Sequence, residues 1–409
     1  MLMRGKMKAL FLAFSLLALA LTACSAGSGT DSGKVTLTWW DTMTTDGSVT
    51  AINNIISEYE KAHPNVKIKR TYVSSSDIKN KLLLGSIGNQ GPDIVWIDSA
   101  DHQTFAAAGI LADITSEVKA WGQADQYYDG PWSSTVYDGK NYGVPVGSNN
   151  LALFYNKELF DEAGIKPPTN WDELKEDAKL LTKKNVYGFA VSAVKTEEGT
   201  FQFLPFLLQA GSDVPDFDSQ GTLDAVNLYD YMAKNNYMSK EVITQKQSDT
   251  ATQFAAGKVA MMVNGTWQIP FLQKEGKVNW GVVPLPKGKT GATVLGGENW
   301  AISAASKHKD AAFDVIRFAN EPDRLKKLLQ TNGRLPSRKD LLQDPFWQKD
   351  PQMKVFADAM EVAKARAYGP DYAGISEAIQ TMLQQVLTGQ ASPEQAVQTA
   401  AGKIKPLAP

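Results

Sequence analysis

The stretch "DIVWIDS" (Asp93–Ser99) sets four apolar residues in a row between two aspartates. The run does not alternate, and it is rich in β-branched and aromatic residues. That is the mark of a strand covered on both faces, as in a parallel sheet. Upstream, "VTLTWW" (35–40) alternates at Val35, Leu37 and Trp39, which is strand period. Between the two, Ile52, Ile55, Ile56 and Tyr59 fall on one helix face, and Pro64 closes it. Val66, Ile68 and Tyr72 then approximate alternation, and "SSSDIKNKL" (74–82) reads as a capped helix start. A helical stretch after Ser99 is closed by Gly109. Strands alternating with helices in this way predict an α/β fold with a doubly wound lobe.

Further along, "YGVPVGSNNLALFYNKELF" (142–160) is extended but interrupted by Pro145 and Gly147, as a crossing between two lobes would be. A helix begins near Trp171, with Thr169 and Asp172 spaced as a capping box. "VYGFAVSA" (186–193) reads as a buried strand. "QFAAGKVAMMVNGTW" (253–267) reads as helix end, glycine, strand and turn. "WGVVPLP" (280–286) and "ATVLGGENWAIS" (292–303) are strands around glycine turns, followed by a helical region from Lys307 to Gln330. Near the end Ile379, Met382, Leu383, Val386 and Leu387 share a helix face, and Ser392, Pro393 and Gln395 fit N-cap, N1 and N3 of the next helix.

The sole cysteine of the 409 residues, Cys24, follows a different kind of segment. Arg4, Lys6 and Lys8 precede "LFLAFSLLALAL" (10–21), an apolar run too short to span a membrane and fitting a secretory signal. Leu21-Thr22-Ala23-Cys24 resembles a bacterial lipobox, which implies an acylated thiol and cleavage before it. "SAGSGTDSGK" (25–34) is then a flexible leash. One cysteine allows neither a disulfide nor a cysteine-based metal site. With 42 basic and 44 acidic residues the chain has no cationic excess to attract nucleic acid. Its length exceeds what one hydrophobic core usually covers, so two lobes are expected.

No dinucleotide or phosphate loop, zinc-hydrolase helix or nucleophile elbow occurs in the sequence. His63, His102 and His308 are far apart among polar neighbours and read as surface residues.

Five segments in order resemble the bacterial extracellular solute-binding family that feeds ABC sugar importers. They are "GPDIVWIDSADHQTFAAAGILADIT" (91–115), "VPVGSNNLALFYNKELFDEAGIKPPTNWDEL" (144–174), "FAAGKVAMMVNGTWQIPFL" (254–272), "VLGGENWAISAASKHKDAAFDVIRFA" (294–319) and "TGQASPEQAV" (388–397). The resemblance implies a two-lobe, type II periplasmic-binding-protein-like fold, with the ligand cleft between lobes joined by two or three crossings. The expected division is a signal at 1–23, a lipid-anchored linker at 24–33, a first lobe of 34–147 with 298–335, and a second of 148–297 with 336–409. Crossings are expected near 146–150 and 295–300. The same resemblance implies a non-enzymatic monomer without cofactor or metal, delivering carbohydrate to a permease. The lipobox implies anchoring through Cys24 to the outer face of the cell membrane, and such tethering suggests a Gram-positive cell, which has no outer membrane to retain a free protein.

A sugar needs flat aromatics for its C–H faces and planar polar groups for its hydroxyls. Strand ends facing the crevice supply Trp40, Asp41 and Asp98, while Trp39 alternates into the core. Asp98 or Ser99 could instead cap a helix. By resemblance Asn149 stands where maltose-binding members carry an acid. Phe201 and Gln202 fall near a stacking aromatic, and Trp267 matches a stacking tryptophan. Gly265 is expected to turn the backbone tightly and bring that ring to the cleft. Glu298, Asn299 and Trp300 follow two glycines at a crossing, with Glu298 as the hydroxyl-reading carboxylate. Arg334 either donates to an acidic ligand or braces the second lobe. A further tryptophan of the maltose-binding members is replaced by Ile375-Ser376, with Tyr372 the nearest aromatic. Other readings are a polyamine, sugar-phosphate or iron-chelate binder, a lipid-anchored glycan-processing enzyme, and a sensor presenting ligand to a membrane kinase.

Overall fold

A computed structural model describes residues 33–44, 46–74, 77–88 and 91–408. Cys24, the signal and all but the end of the leash lie outside the described residues. The expected opening order is present. Strand β1 (Val35–Asp41) lies between β2 (Val66–Tyr72) and β3 (Ile94–Asp98), parallel to both. Helices Asp46–Ala62 and Ile78–Ile87 make the connections. In β3 the run Ile94–Ile97 is wholly buried, as its unbroken apolar pattern requires.

A small hairpin of β4 (Val136–Tyr137) and β5 (Lys140–Asn141) precedes β6 (Gly143–Asn149), and β7 (Leu151–Asn156) follows at once. Strands β6 and β7 belong to different sheets, so the chain crosses at Asn150. The second sheet has order β10-β7-β9-β8, from β8 (Tyr187–Ala190), β9 (Val259–Gly265) and β10 (Trp280–Val283). The chain then returns through β11 (Thr293–Ile302), β12 (Leu335–Pro336) and β13 (Ala363–Ala365), giving a first sheet of order β12-β6-β11-β3-β1-β2 with β13 paired to β11. Strand β11 joins the first sheet's network from Thr293, and 336–409 contributes β13 to that sheet as well as helices to the second.

Two local readings shift. The helix at Trp171–Leu181 is capped by Asn170, not Thr169; the Asn170 side chain accepts from the amides of Asp172 and Glu173. The reciprocal bond exists one residue out of step: the Thr169 amide donates to Glu173 at 2.7 Å. The helical region at 307–330 is two helices, Lys309–Ala319 and Pro322–Asn332, because Pro322 starts a new first turn. The Ser392/Gln395 capping box is present as read.

Val35–Pro409 pack as one compact unit. Behind the cleft end of the first sheet sits a tryptophan cluster. Trp300 meets Trp39 and Trp96 edge-on, at centroid separations of 4.7 and 4.6 Å, and all three are buried. Strands β1, β3 and β11 each send one ring to the same face. Helices Glu197–Gln209, Gln220–Lys234, Tyr372–Leu387 and Pro393–Ile404 cover the other core, against the second sheet.

Candidate functional site

The register of β3 and β11 places Glu298 directly opposite Asp98, one pleat beyond Trp300 opposite Trp96. Two carboxylates thus stand side by side at the strand end, where cross-strand neighbours approach within about 5.5 Å. Like charges so placed repel, and each is met by a guanidinium. Arg334 Nε donates to Glu298 Oε2 at 3.1 Å and its Nη2 to Oε1. Arg366 Nη2 donates to Asp98 Oδ1 at 3.0 Å. Burial pushes the Glu298 carboxyl above its ordinary range and Asp98 adds to this, while Arg334 and Arg366 oppose it.

Backbone irregularity makes room for Glu298. The β6–β11 register slips between Glu298, opposite Gly147, and Asn299, opposite Pro145, so Val146 is bulged out. Gly297 has φ +142°, and a Cβ there would lie 2.2 Å from the Gly147 carbonyl oxygen. Only glycine fits.

Two aromatic rings lie against the arginines, Trp267 partly exposed and Phe201 buried. Phe201, from the helix Glu197–Gln209, and Trp267, just after β9, have centroids 6.2 Å apart with their planes tilted by 41°. Gly265 assists by space and not by a turn: its backbone is extended, and the Trp267 ring occupies the place where a Cβ would be, within 1.9 Å. Each ring carries an arginine. Arg334 lies 5.6 Å from the Trp267 centroid and Arg366 4.6 Å from that of Phe201. Glu197 completes the group: it accepts from Arg366 Nη1, from Tyr372 Oη at 2.6 Å and from Ser376 Oγ. Burial raises its carboxyl, against the pull of Arg366.

The structure therefore brings Asp98, Phe201, Trp267, Glu298 and Arg334 together, with Asn149 buried close by against Gly296. Trp40 keeps part of its ring exposed at the end of β1 and packs on the outer face of the first sheet. Asp98 also caps the helix Ser99–Ala107 through the Ala100 amide, as the capping reading had it, while its carboxylate stays accessible.

Four site expectations are corrected. Asp41 is fully buried and held by Arg70 Nε and Nη2 at 2.7 and 2.6 Å, with the Met43 amide on the same carboxylate. It has little left for a ligand. Gln202 is turned inward, accepting from Ser192 N and donating to the Val263 carbonyl at 2.8 and 3.1 Å. Asn299 points to the far face of β11, where it donates to Ser134 Oγ at 2.9 Å and approaches His102 Nδ1 at 3.3 Å. Trp300 belongs to the tryptophan cluster. His102 is likewise not a surface residue. Its ring is buried in the space left by the missing side chain of Gly143. His63 and His308 do reach the surface.

Glu197 and Arg366 were not singled out by sequence reasoning, and Ser376 entered it only as the replacement of a tryptophan. Arg366 follows "AKA" in a stretch without period or motif, so nothing local marks it. Among the described residues, no group of three or more His, Cys, Asp or Glu is placed to hold a metal, and no helix is long and apolar enough to cross a membrane.

The geometry can be set beside known proteins. The family model described as "bacterial extracellular solute-binding protein" matches residues 54–355. The chain is 27% identical over 374 residues to the maltotriose-binding protein of Pyrococcus abyssi, covering 87% of this chain and 78% of that one. It is 27% identical over 350 residues to a lipoprotein of Streptomyces antibioticus, covering 82% and 77%. Its structure is similar to that of an ABC transporter solute-binding protein from Thermotoga lettingae bound to α-D-tagatose. There the TM-score is 0.84 at 28% identity, covering 91% of this chain and 99% of that one.

Proposed function

We propose a function from one premise: the chain belongs to the bacterial extracellular solute-binding protein family. It captures a sugar or oligosaccharide in the cleft and hands it to the membrane subunits of an ABC importer. The observation that carries this reading is the pairing of Asp98 and Glu298 across β3 and β11, faced by Trp267 and Phe201. The partly exposed Trp267 ring takes a C–H face of a pyranose, with Phe201 buried beside it, and carboxylates accept from its hydroxyls in strong charge-assisted bonds. Arg334 is taken by Glu298 and Arg366 is shared by Asp98 and Glu197, so a sugar phosphate finds no uncompensated cation there.

In this reading each sheet is the heart of one lobe, and the chain crosses at Asn150, near Thr293 and again after β13, where it passes to the helices of the second core. Ligand binds one lobe first. Its interactions with the second lobe then stabilise the closed form by differential affinity. No bond is made or broken. The acylated Cys24 keeps the protein at the outer face of the membrane, beside its permease. The similarity to a lipoprotein supports this.

Calorimetric titration of residues 25–409 with mono-, di- and oligosaccharides, spermidine and glycerol phosphate tests the proposal, with each mixture assayed afterwards for products. Binding of an intact sugar, weakened in Trp267→Ala, is the expected result. Binding of spermidine or glycerol phosphate alone, or the appearance of cleavage products, refutes it.

A further inference from the structure

We propose that Arg366 is a positioning residue for ligand capture: one guanidinium ties Asp98 at the end of the first sheet to Glu197 on a helix of the second, and so sets the geometry at the base of the cleft. This rests on the sugar-binding reading for its functional consequence but not for its geometry.

Strand β13 runs parallel to β11, with Ala365 opposite Leu295, and delivers Arg366 to the base of the cleft. There the guanidinium is engaged along its whole edge. Nε donates to the Leu295 carbonyl at 3.2 Å, Nη2 to Asp98 at 3.0 Å and Nη1 to Glu197. The side chain is only 3% exposed, with the Phe201 ring against it. A planar fork used in three directions leaves little freedom, and a lysine could not reproduce it.

Both partners are held from behind by different parts of the fold. Asp98 takes the Ala100 amide of its own helix, on the first sheet. Glu197 takes Tyr372 Oη and Ser376 Oγ, from a helix packed against the second. Arg366 is thus a bridge between two anchored carboxylates. It also offsets the repulsion that the cross-strand register imposes on Asp98 and Glu298. Asp98 nevertheless remains 46% exposed, so it is aimed and still accessible. Without Arg366 the two acids swing apart, and the tie between the two sheets at this point is lost.

The test uses residues 25–409, which contain the whole compact unit. Small-angle X-ray scattering of the ligand-free protein compares wild type with Arg366→Met, Arg366→Lys and Glu197→Gln. The expected result is a larger radius of gyration for Arg366→Met, an intermediate one for Arg366→Lys, and no further change when Glu197→Gln is added to Arg366→Met. Should Arg366→Met fail to fold, Glu197→Gln alone, which cuts one arm of the bridge, must show the expansion. A calorimetric arm uses maltotriose and D-tagatose as probes. Affinity for whichever probe binds falls in Arg366→Met by roughly 5- to 150-fold, the usual range of coupling between sites. Adding Asp98→Asn in that background then costs little more. Unchanged scattering in folded Arg366→Met and in Glu197→Gln overturns the proposal, and so does full recovery by lysine. If the wild type binds neither probe nor any other sugar, the sugar-binding reading fails, and the scattering arm still decides the role of Arg366.

Discussion

His102 should make this protein acid-sensitive by a predictable amount. The ring is fully buried, and its Nδ1 faces the Asn299 amide nitrogen at 3.3 Å. That nitrogen is a donor, so Nδ1 must accept, and the imidazole is neutral. Burial pulls its pKa from 6.5 down to about 3. The sign follows directly. Below pH 6.5 the unfolded chain binds a proton that the folded one refuses, so stability is complete above that pH and lost as pH falls toward about 3. The loss approaches about 1.4 kcal/mol per pH unit, or about 2.7 kcal/mol by pH 4.5. That is a large part of a typical domain's stability of about 5–15 kcal/mol. Urea denaturation of wild type and His102→Gln from pH 8 to 4.5, followed by tryptophan fluorescence, measures the effect. Wild type should lose stability relative to the variant across the lower half of that range, while their difference stays flat above pH 7. His63 is common to both proteins and cancels. A difference that stays constant from pH 8 to 4.5 would refute the argument and mean that the ring is charged or solvated in the native state.

Three further outcomes are expected. Trp267→Ala should weaken binding of the preferred sugar by about 2 kcal/mol or more, roughly 30-fold, as for a buried aromatic anchor, read by calorimetry. Asp177, buried on the helix Trp171–Leu181 with one oxygen unpartnered, is pushed up to about 6 by burial and by Glu173 and Glu176. Asp177→Asn should therefore stabilise the fold at neutral pH by up to about 3 kcal/mol, a gain that shrinks to nothing as pH falls through 6 toward 4 in thermal melts. Trp300→Phe should lower the denaturation midpoint and leave sugar affinity unchanged; a selective loss of affinity would move Trp300 from core to ligand contact.

How much of this was legible depends on how local each signal is. Period fixes the strands: β1 alternates and β3 does not, and both behave in the fold as their patterns say. The rule that strand ends face the crevice pointed to Asp98, and the two glycines at a crossing pointed to Glu298, which the register sets opposite each other. It failed for Asp41, an equally placed strand-end acid, because Arg70 on the neighbouring parallel strand consumes its carboxylate. Counter-ions arrive from elsewhere in the chain, and one sequence does not say which acid receives one. Asn299 and Trp300 were misread for a different reason. Adjacent residues of a strand face opposite ways, so Glu298, Asn299 and Trp300 could not all address one ligand. Asn299 turns to His102, and Trp300, on the Glu298 side, lies one pleat deeper. His102 looked like a surface residue because the glycine that shelters it lies 41 positions away, at Gly143.

The arrangement of Asp98 and Glu298 would be a defect in an ordinary sheet. Opposed like charges on neighbouring strands are unfavourable, and burial makes them worse. A fold selected for stability alone would place a neutral pair there. Instead a bulge, a glycine at φ +142° and two arginines from distant segments all converge on the pair. Each of these breaks a local rule, and such breaks concentrate at functional sites. The arginines also decide which chemistry the pair can serve. Unpaired carboxylates would demand a cation, and unpaired guanidiniums an anion. Matched against each other, with Glu197 sharing Arg366, they leave no free guanidinium and a polar surface whose remaining acceptors suit hydroxyls, with a ring face beside them for C–H groups. Glu298→Gln tests this directly. It spares the shape of the site but leaves Arg334 without its counter-charge, so affinity for a neutral sugar should fall while a hexose phosphate, excluded by the wild type, begins to bind. If glucose 6-phosphate binds both proteins alike in calorimetry, the charge balance of the cleft does not govern its selectivity.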